Sequence, residues 1–369
     1  MQKTNTFASQ IRPTCIAMLV LVVFFCSSAS HGANSWYANA KNAAGTGDGL
    51  TVETGYHTIQ EAVDRAAAGD TVYVAPGTYD EGGGEISGPS AGYTQYARVV
   101  ITNKIKLVST LGCKGRDVTH VVGDWNGGEG ASGCRVCIGI GSSKGLGSTI
   151  EGLTLRDGAS VLGWSRGGAI GSSSEHEGTN NFILAYCTVS NCTGKSGTMI
   201  GGFAVGCLFA NNAMYTGGNA AGVHCTSLFN CVLVNNYCEA TSGANARSAM
   251  NCTNVASCTI MNQIGYTGTI RGYYLNGASY IADGRVWNTV QSGSPKPGCE
   301  LANVYRCVFD GPTASTNDES QIIGKQSDKG AEHTRLCMAP ALGDCRPIAG
   351  GLLDCAGNRV FLSMDFIPP

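Results

Sequence analysis

Two stretches 27 residues apart, CTSLFNCVLVNN (225–236) and CTNVASCTIMNQ (252–263), carry cysteine at the same two places, with small or aliphatic residues between and asparagine near the close. GGFAVGCLFANN (201–212) fits the same frame, as does NNFILAYCTVSN (180–191) with one more residue ahead of its cysteine. Weaker copies are STIEGLTLRDG (148–158), GRVWNTVQSG (284–293) and ANVYRCVFDG (302–311). Aligned on Gly152, Cys187, Cys207, Cys231, Cys258, Asn288 and Cys307, successive copies are 35, 20, 24, 27, 30 and 19 residues apart. A motif that keeps its pattern while its spacing drifts describes a solenoid with loops of unequal size. Each copy is too short for a helix and alternates with a period of two, as in Cys-Val-Leu-Val-Asn, so each is read as a strand. Short strands recurring with Gly and Asn at their ends predict an all-β coil of parallel strands, a β-helix of roughly ten turns.

In such a coil, equivalent positions of successive turns stack at about 4.8 Å. The pivot cysteines then form an inward ladder, where cysteine packs as a small hydrophobe. The spacing also lies inside the disulfide range of about 4.4–6.8 Å between Cα atoms. In-register parallel neighbours seldom present bridging torsions, so stacked thiols are expected. Cys134 and Cys137, as CRVC, have the spacing of half a zinc site, but no second pair accompanies them.

Composition agrees. The 53 glycines among 369 residues are about twice the usual share, which suits strands joined by tight turns. With 43% hydrophobic and 14% charged residues the chain is globular and not disordered. Lys and Arg number 24 against 26 acids, without a basic run, so nothing in the charge balance points to nucleic acid and no such partner is expected.

One helix pattern stands at the front, in TIQEAVDRAAAGD (58–70). Thr58 is placed to cap it, with Glu61 as the capping-box partner. Ile59, Ala62, Val63, Ala66 and Ala67 fall on one face, and Gly69 is placed to stop it. A stack of parallel turns has open ends that invite aggregation. The helix, expected over 58–68, is therefore read as a lid on the first strand, DTVYVAPGTY (70–79).

Ahead of this, Lys3 and Arg12 precede the apolar run CIAMLVLVVFFC (15–26) and the small residues SSASHGA, the layout of a cleaved secretory signal peptide. The run is shorter than the roughly 20 residues a membrane span needs. Residues 1–32 are assigned to the signal peptide, and no membrane span is expected after cleavage. Removing Cys15 and Cys26 from the 18 cysteines leaves 16, an even count that permits disulfides in an oxidising compartment. Residues 33–310 form the coil with its helix. Residues 311–369 are a polar excursion and a C-terminal cap, in which Cys337, Cys345 and Cys355 are the best disulfide candidates, with Cys299 or Cys307 as a partner.

WYANAKNAAGTGDGL (36–50) followed by YHTIQEAVDRAAAGDTVYVAPGTYDEG (56–82) resembles the N-terminal signature of secreted bacterial right-handed parallel β-helix proteins of the pectin-lyase-like superfamily. IEGLTLRDG (150–158), GGAI (167–170) and FANN (209–212) are similar to the looser coil motifs of that group. The last two also resemble tetrapeptides of outer-membrane adhesins. LLDCAGNRVFLSMDF (352–366) is similar to the group's Asp-x-x-Gly-x-Arg close through Asp354, Gly357 and Arg359, and departs from it at the final Asp-Phe-Ile-Pro-Pro. The resemblance implies a right-handed parallel β-helix with an N-terminal capping helix, and it implies fold more firmly than function.

Enzymes of that superfamily cut acidic polysaccharides, either with paired carboxylates or with an Arg or Lys base assisted by calcium. The Asp-Asp, Gly-His-Gly and Arg-Ile-Lys elements of the hydrolases are missing, and the repeat strands carry almost no acids. Candidate chemistry lies in loops. The long insertion 157–180 holds Trp164, Arg166, Glu175, His176 and Glu177. Trp164 beside Arg166 could stack on and bind a sugar acid, and Glu-His-Glu could hold a proton or a metal. Arg166 and His176 are the catalytic candidates, although Ser-Glu-His-Glu-Gly also reads as a solvated loop tip. Tyr93, Tyr96, Arg271, Tyr273 and Tyr274 in two aromatic loops would suit carbohydrate stacking. Asp124 and Glu129 among glycines could form a calcium turn, and a plain loop reads equally. His224 is read as a buried, hydrogen-bonded histidine, and Asn191-Cys-Thr and Asn251-Cys-Thr as turns more than glycosylation sites.

The sequence therefore leads to a secreted or cell-surface protein that engages a polysaccharide or cell-surface glycan along the coil, and that could depolymerise it. The alternative is a non-catalytic, adhesin-like structural protein.

Overall fold

A computed structural model describes residues 33–86, 95–124, 134–141, 143–160, 167–172, 182–194, 197–199, 201–214, 223–238, 250–256 and 258–261. Beyond these it describes strands at 270–271, 284–287, 290–292, 299–300, 302–305, 308–309, 337–339 and 344–347. The chain divides into Met1–Ala33 and Asn34–Pro369, and apart from Ala33 the described residues belong to the second unit. Among them one α-helix, Ile59–Arg65, and two 3-10 turns, Gly112–Asp117 and Ser143–Gly145, stand among strands. The fold is all-β with parallel sheets.

In the first and largest sheet Ser35–Ala38, Thr71–Val74, Lys106–Ser109, Thr149–Glu151, Ile183–Ala185, Phe203–Val205, Val223–Phe229 and Met250–Ala256 lie side by side in chain order. A second sheet runs likewise from Gly77–Tyr79 through Thr154–Arg156, Thr188–Ser190, Leu208–Ala210 and Val232–Val234 to Val308–Phe309. The third holds Ala159–Ser160, Thr193–Gly194, Ala213–Met214 and Tyr237–Cys238. Every pairing in these three is parallel, and parallel neighbours need a crossover between them. Here the crossover is the rest of one repeat. A fourth sheet joins Ile170–Ser172, Arg135–Ile140 and Gln95–Ile101 in parallel, and Gly84–Ile86 adds to it antiparallel. Alternate residues of the strands face a common core of Val72, Leu107, Ile150, Leu184, Phe209 and Leu233, all fully buried.

The copy around Cys187 shows how sequence produces the turns. Ile183–Ala185, Thr188–Ser190 and Thr193–Gly194 belong to the first, second and third sheets, with two residues at each junction. The first junction residue is left-handed, with φ 52° at Tyr186 and 53° at Asn191. Gly152, Gly206 and Asn230 repeat this at the first junction, and Asp157, Asn211 and Asn235 at the second. Gly, Asn and Asp reach this region at least cost, which explains the residues that close the copies. Tyr186 is the exception, and its N–H is held by Val205 O at 2.9 Å.

At the second junction residue the backbone amide is buried and must find an acceptor. A side chain of the next repeat provides one. At the first junction the acceptor is sulfur: Leu153 N–H donates to Cys187 Sγ at 3.5 Å, Cys187 N–H to Cys207 Sγ at 3.4 Å, and Cys231 N–H to Cys258 Sγ at 3.5 Å. The thiols of Cys187, Cys207 and Cys231 each donate in turn to the carbonyl two residues back, at 3.3 Å. At the second junction the acceptor is an amide, since Cys192 N–H donates to Asn212 Oδ1 at 3.0 Å and Asn212 N–H to Asn236 Oδ1 at 3.1 Å. The recurrent cysteine and the closing asparagine thus perform one task at two corners. The column stands as thiols, and burial pushes the Cys187 thiol up to about 12.

Register moves two of the weak copies by one residue. Thr154 pairs with Thr188, so Leu153 and not Gly152 stands beside Cys187, and Gly152 is the left-handed residue before it. Val290 pairs with Thr259, which likewise shifts the copy at 284–293 by one from the alignment on Asn288. Without a cysteine to mark the corner, the glycine and asparagine of these copies misplace the frame.

The helix forms as its capping signal predicts. Glu61 N–H donates to Thr58 Oγ1 at 3.2 Å, and Thr58 N–H donates to Glu61 Oε2 at 2.9 Å. It is shorter than 58–68: Arg65 is its last residue, Ala66 is extended, and Ala67 is exposed where burial was expected. Ile59, Ala62, Val63 and Ala66 join the common core. Thr58→Ala is expected to lower the unfolding free energy by about 1 kcal/mol, measurable by urea denaturation; a loss below a few tenths would show that the cap contributes little. Gly69, with φ 97°, breaks the chain away, and Asp70 receives the loose ends.

At the C-terminal side, Cys337–Ala339 and Asp344–Pro347 pair antiparallel. Cys337, Cys345 and Cys299 lie on strands whose side chains are outside the described residues, as are Cys307 and Cys355.

Candidate functional site

Of the residues singled out as binding groups, Tyr96 has a described side chain. Arg271 is described by its backbone, which pairs with Asn251 and Glu300. Trp164, Arg166, Glu175, His176, Glu177, Tyr93, Tyr273 and Tyr274 lie outside the described residues, and so does Glu129.

Tyr96 sits in the middle of a three-strand row. It pairs with Glu85 across the antiparallel hairpin and with Arg135 across the parallel one. Directly opposed side chains of neighbouring strands are in reach of each other. Here the Arg135 guanidinium carbon stands 5.7 Å from the Tyr96 ring centroid, a cation–π contact. Two residues along the strand from Tyr96, Arg98 completes the cluster. Arg98 and Arg135 both donate from Nη1 to Gly82 O at 3.3 Å, and Arg98 Nε donates to Val122 O at 2.9 Å.

A Gly82–Gly83 turn aims that carbonyl. Gly83 has φ 111°, and a Cβ there would stand 2.1 Å from Ala97 O, so only glycine lets the turn lie this close to the strand. Asp124 holds Arg135 from the other side through two backbone hydrogen bonds, of 3.0 and 2.9 Å. The Arg98 guanidinium is lowered from its ordinary pKa, first by burial and then by the charge of Arg135, while Asp124 and Asp80 act in the opposite sense. Arginine remains charged regardless. Two guanidinium groups thus stand beside an aromatic ring, with Glu85 on the neighbouring strand and the charges of Asp80 and Asp124 acting on Arg98.

Nearby in sequence, His57 Nδ1 is 2.6 Å from Asn42 O and its Nε2 is 3.3 Å from Glu81 Oε2. If Nδ1 donates to the carbonyl, Nε2 carries a proton toward Glu81 only in the imidazolium form. Among the described residues no group of three or more His, Cys, Asp or Glu is arranged to hold a metal ion.

The solvent face of the first sheet is a second aromatic surface. Tyr37 and Tyr73 pair in register and their rings stack at 5.3 Å between centroids. Farther along, Tyr186, Phe203 and Phe229 are about 40% exposed on neighbouring strands and their junction, while Leu184, Ala204 and Leu228 between them point into the core.

Sequence reading selected Tyr96 but passed over Arg98 and Arg135. Arg98 carried a signal, since strand alternation places it on the same face as Tyr96. Arg135 carried none, because a crossover of about 40 residues, comparable to a whole repeat, separates it from its partner. Neither a family model nor a curated protein sequence matches the chain. Among the described residues no helix is long and apolar enough to cross a membrane.

Proposed function

We propose that the chain is a right-handed parallel β-helix, exported by its N-terminal leader, that binds an anionic polysaccharide. The stacking of successive repeats in register supports the architecture, and the helix 59–65 serves as its lid. The observation that carries the function is the row of Glu85, Tyr96 and Arg135, backed by Arg98, which sets a ring and two guanidinium groups side by side. The ring offers a platform for a sugar face, and a guanidinium matches a carboxylate bidentately. The exposed rings of the first sheet offer a second, separate stacking surface.

Binding is tested by affinity electrophoresis and calorimetry against uronate-containing and neutral polysaccharides. Tyr96→Ala and Arg135→Ala are each expected to weaken binding to the anionic polymer about tenfold, the scale of one lost charged or stacking contact. Equal binding of neutral and anionic polymers, unaffected by Arg135→Ala, would reject the site.

Depolymerisation belongs to the same proposal through Arg166 and His176, with Trp164, Glu175 and Glu177 of the same insertion as binding groups and no cofactor assigned beyond a test for calcium. A calcium-dependent rise in ultraviolet absorbance on uronate polymers, lost in Arg166→Ala, supports it. The scarcity of acids on the repeat strands favours a second reading, a non-catalytic surface protein that holds a glycan or cell surface. Binding without bond cleavage would decide for that reading.

A further inference from the structure

The cysteines of the column sit at equivalent junctions of successive repeats, next to strands in parallel register, as Cys207 and Cys231 do beside the pairing of Leu208 with Val232. Cys137 and Cys192 meet differently. Cys137 lies on the Arg135–Ile140 strand of the fourth sheet, and Cys192 at the junction between the second and third sheets. Both are fully buried. Cys137 Sγ lies 3.3 Å from Arg156 O and Cys192 Sγ 3.7 Å from Leu155 O, so the two sulfurs stand over consecutive carbonyls. The two thiols also interact with each other, as do those of Cys207 and Cys231.

Their approach depends on Gly158. The pairing of Ala159 with Thr193 puts Gly158 next to Cys192 in the same column, and a Cβ at Gly158 would stand 2.9 Å from Cys137 Sγ. Any other residue there would fill the space through which Cys137 reaches across.

We propose that Cys137 and Cys192 form a disulfide that staples the fourth sheet to the corner between the second and third, while the Cys187–Cys207–Cys231 column stays reduced. A bridge needs a Cβ–S–S–Cβ dihedral near ±90°. Side-by-side residues of a parallel ladder project their Cβ atoms in the same direction and meet that torsion poorly. Residues that approach from different sheets are not tied to that geometry. Hydrogen bonding does not separate the two sets, since Cys192 Sγ donates to Ser190 O at 3.3 Å just as the column thiols donate to the carbonyl two residues back, so the direction of approach is what sets the pair apart.

The oxidant is a small exchangeable disulfide of the glutathione type. The Cys137 thiolate attacks it, breaking its S–S bond, releasing one thiol and leaving a mixed disulfide on Cys137. The Cys192 thiolate then attacks the Cys137 sulfur, forming the Cys137–Cys192 bond and releasing the second thiol. The two cysteines lose two electrons and two protons, and the oxidant gains both as two thiols. The bond closes a loop of about 55 residues, long enough to restrict the unfolded chain substantially.

The test incubates the purified full chain in a glutathione redox buffer with mild urea to allow opening, alkylates the remaining thiols, and maps an unreduced digest by mass spectrometry. The expected result is a Cys137–Cys192 peptide pair, with Cys187, Cys207 and Cys231 alkylated only after denaturation. The oxidised chain should melt about 5 °C above the reduced one, and Cys192→Ser or Cys137→Ser should each remove that difference. Alkylation of both Cys137 and Cys192, a Cys134–Cys137 bond, or a bridge within the column would overturn the proposal. The map on the unaltered chain needs no variant to fold, and its outcome does not depend on whether any glycan binds.

Discussion

Replacing Asn212 by leucine is expected to lower the unfolding free energy by about 4 kcal/mol. Asn212 is fully buried, and its side chain makes three hydrogen bonds: Oδ1 accepts from Cys192 N–H at 3.0 Å, and Nδ2 donates to Val189 O and to Asn236 Oδ1, both at 2.9 Å. Leucine keeps the branched outline of the side chain, with bulkier methyl groups, and removes all three. Cys192 N–H and Val189 O are then orphaned in the core, and each unpaired buried group costs about 1–3 kcal/mol. Water cannot replace the lost partners, because the corner is closed on both sides by neighbouring repeats.

The control is the residue just before it. Asn211 is exposed and left-handed, with φ 56°, so Asn211→Gly should change stability by less than about 1 kcal/mol. Urea denaturation of the two variants separates the side-chain ladder from the backbone bend. If Asn212→Leu cost no more than Asn211→Gly, the buried amide column would not be what satisfies the corner.

Asp70→Ala is expected to cost about 3 kcal/mol and to remove part of the acid sensitivity of the fold. Its carboxylate is 3% exposed and accepts three N–H groups from three places: Asn34 at 2.8 Å, the Trp36 indole at 3.1 Å and Ala67 at 2.9 Å. It ties the first strand, the chain leaving the helix and the second strand into one corner. Burial by itself would raise its pKa, but the amides of Ala67 and Asn34 and the Trp36 indole outweigh that and hold it below 3.8.

The sign follows. A depressed folded pKa means that the contribution is complete above the unfolded value, near pH 4, and is lost as pH falls through the folded value. Melting temperatures from pH 6 down to pH 2 should therefore fall more steeply for the native chain than for Asp70→Asn in the range below about pH 4. Parallel curves would show that Asp70 contributes no charge-dependent stability.

Much of the fold was legible because its rule is local. A strand of three residues bounded by left-handed Gly, Asn or Asp leaves a visible mark each time it recurs, and the cysteine that follows marks the corner. Where the marker was missing, at Gly152 and Asn288, the frame slipped by one residue, since a glycine can be either the bend itself or the position after it. The helix was readable from Thr58 and Glu61, but not its end. The Ala66-Ala67-Ala68 run has strong helix propensity, and the chain leaves it early because Asp70 draws the Ala67 amide and Gly69 N–H donates to Lys104 O. The site was less legible. Aromatic loops pointed to Tyr96, whereas the partner that gives it chemistry arrives from a different strand.

From the residues alone came the repeat, its all-β character, the parallel order of its strands, the capped helix found at 59–65 and the inward cysteine column, because each rests on contacts within a few residues or on exact recurrence. Which thiols face each other across the core, that cysteine and asparagine serve the same buried amides at two corners, and that Arg98 and Arg135 converge on one carbonyl beside Tyr96 were settled only in three dimensions. Loop length decides which distant residues meet, and in a repeat whose loops vary freely no local pattern encodes that meeting.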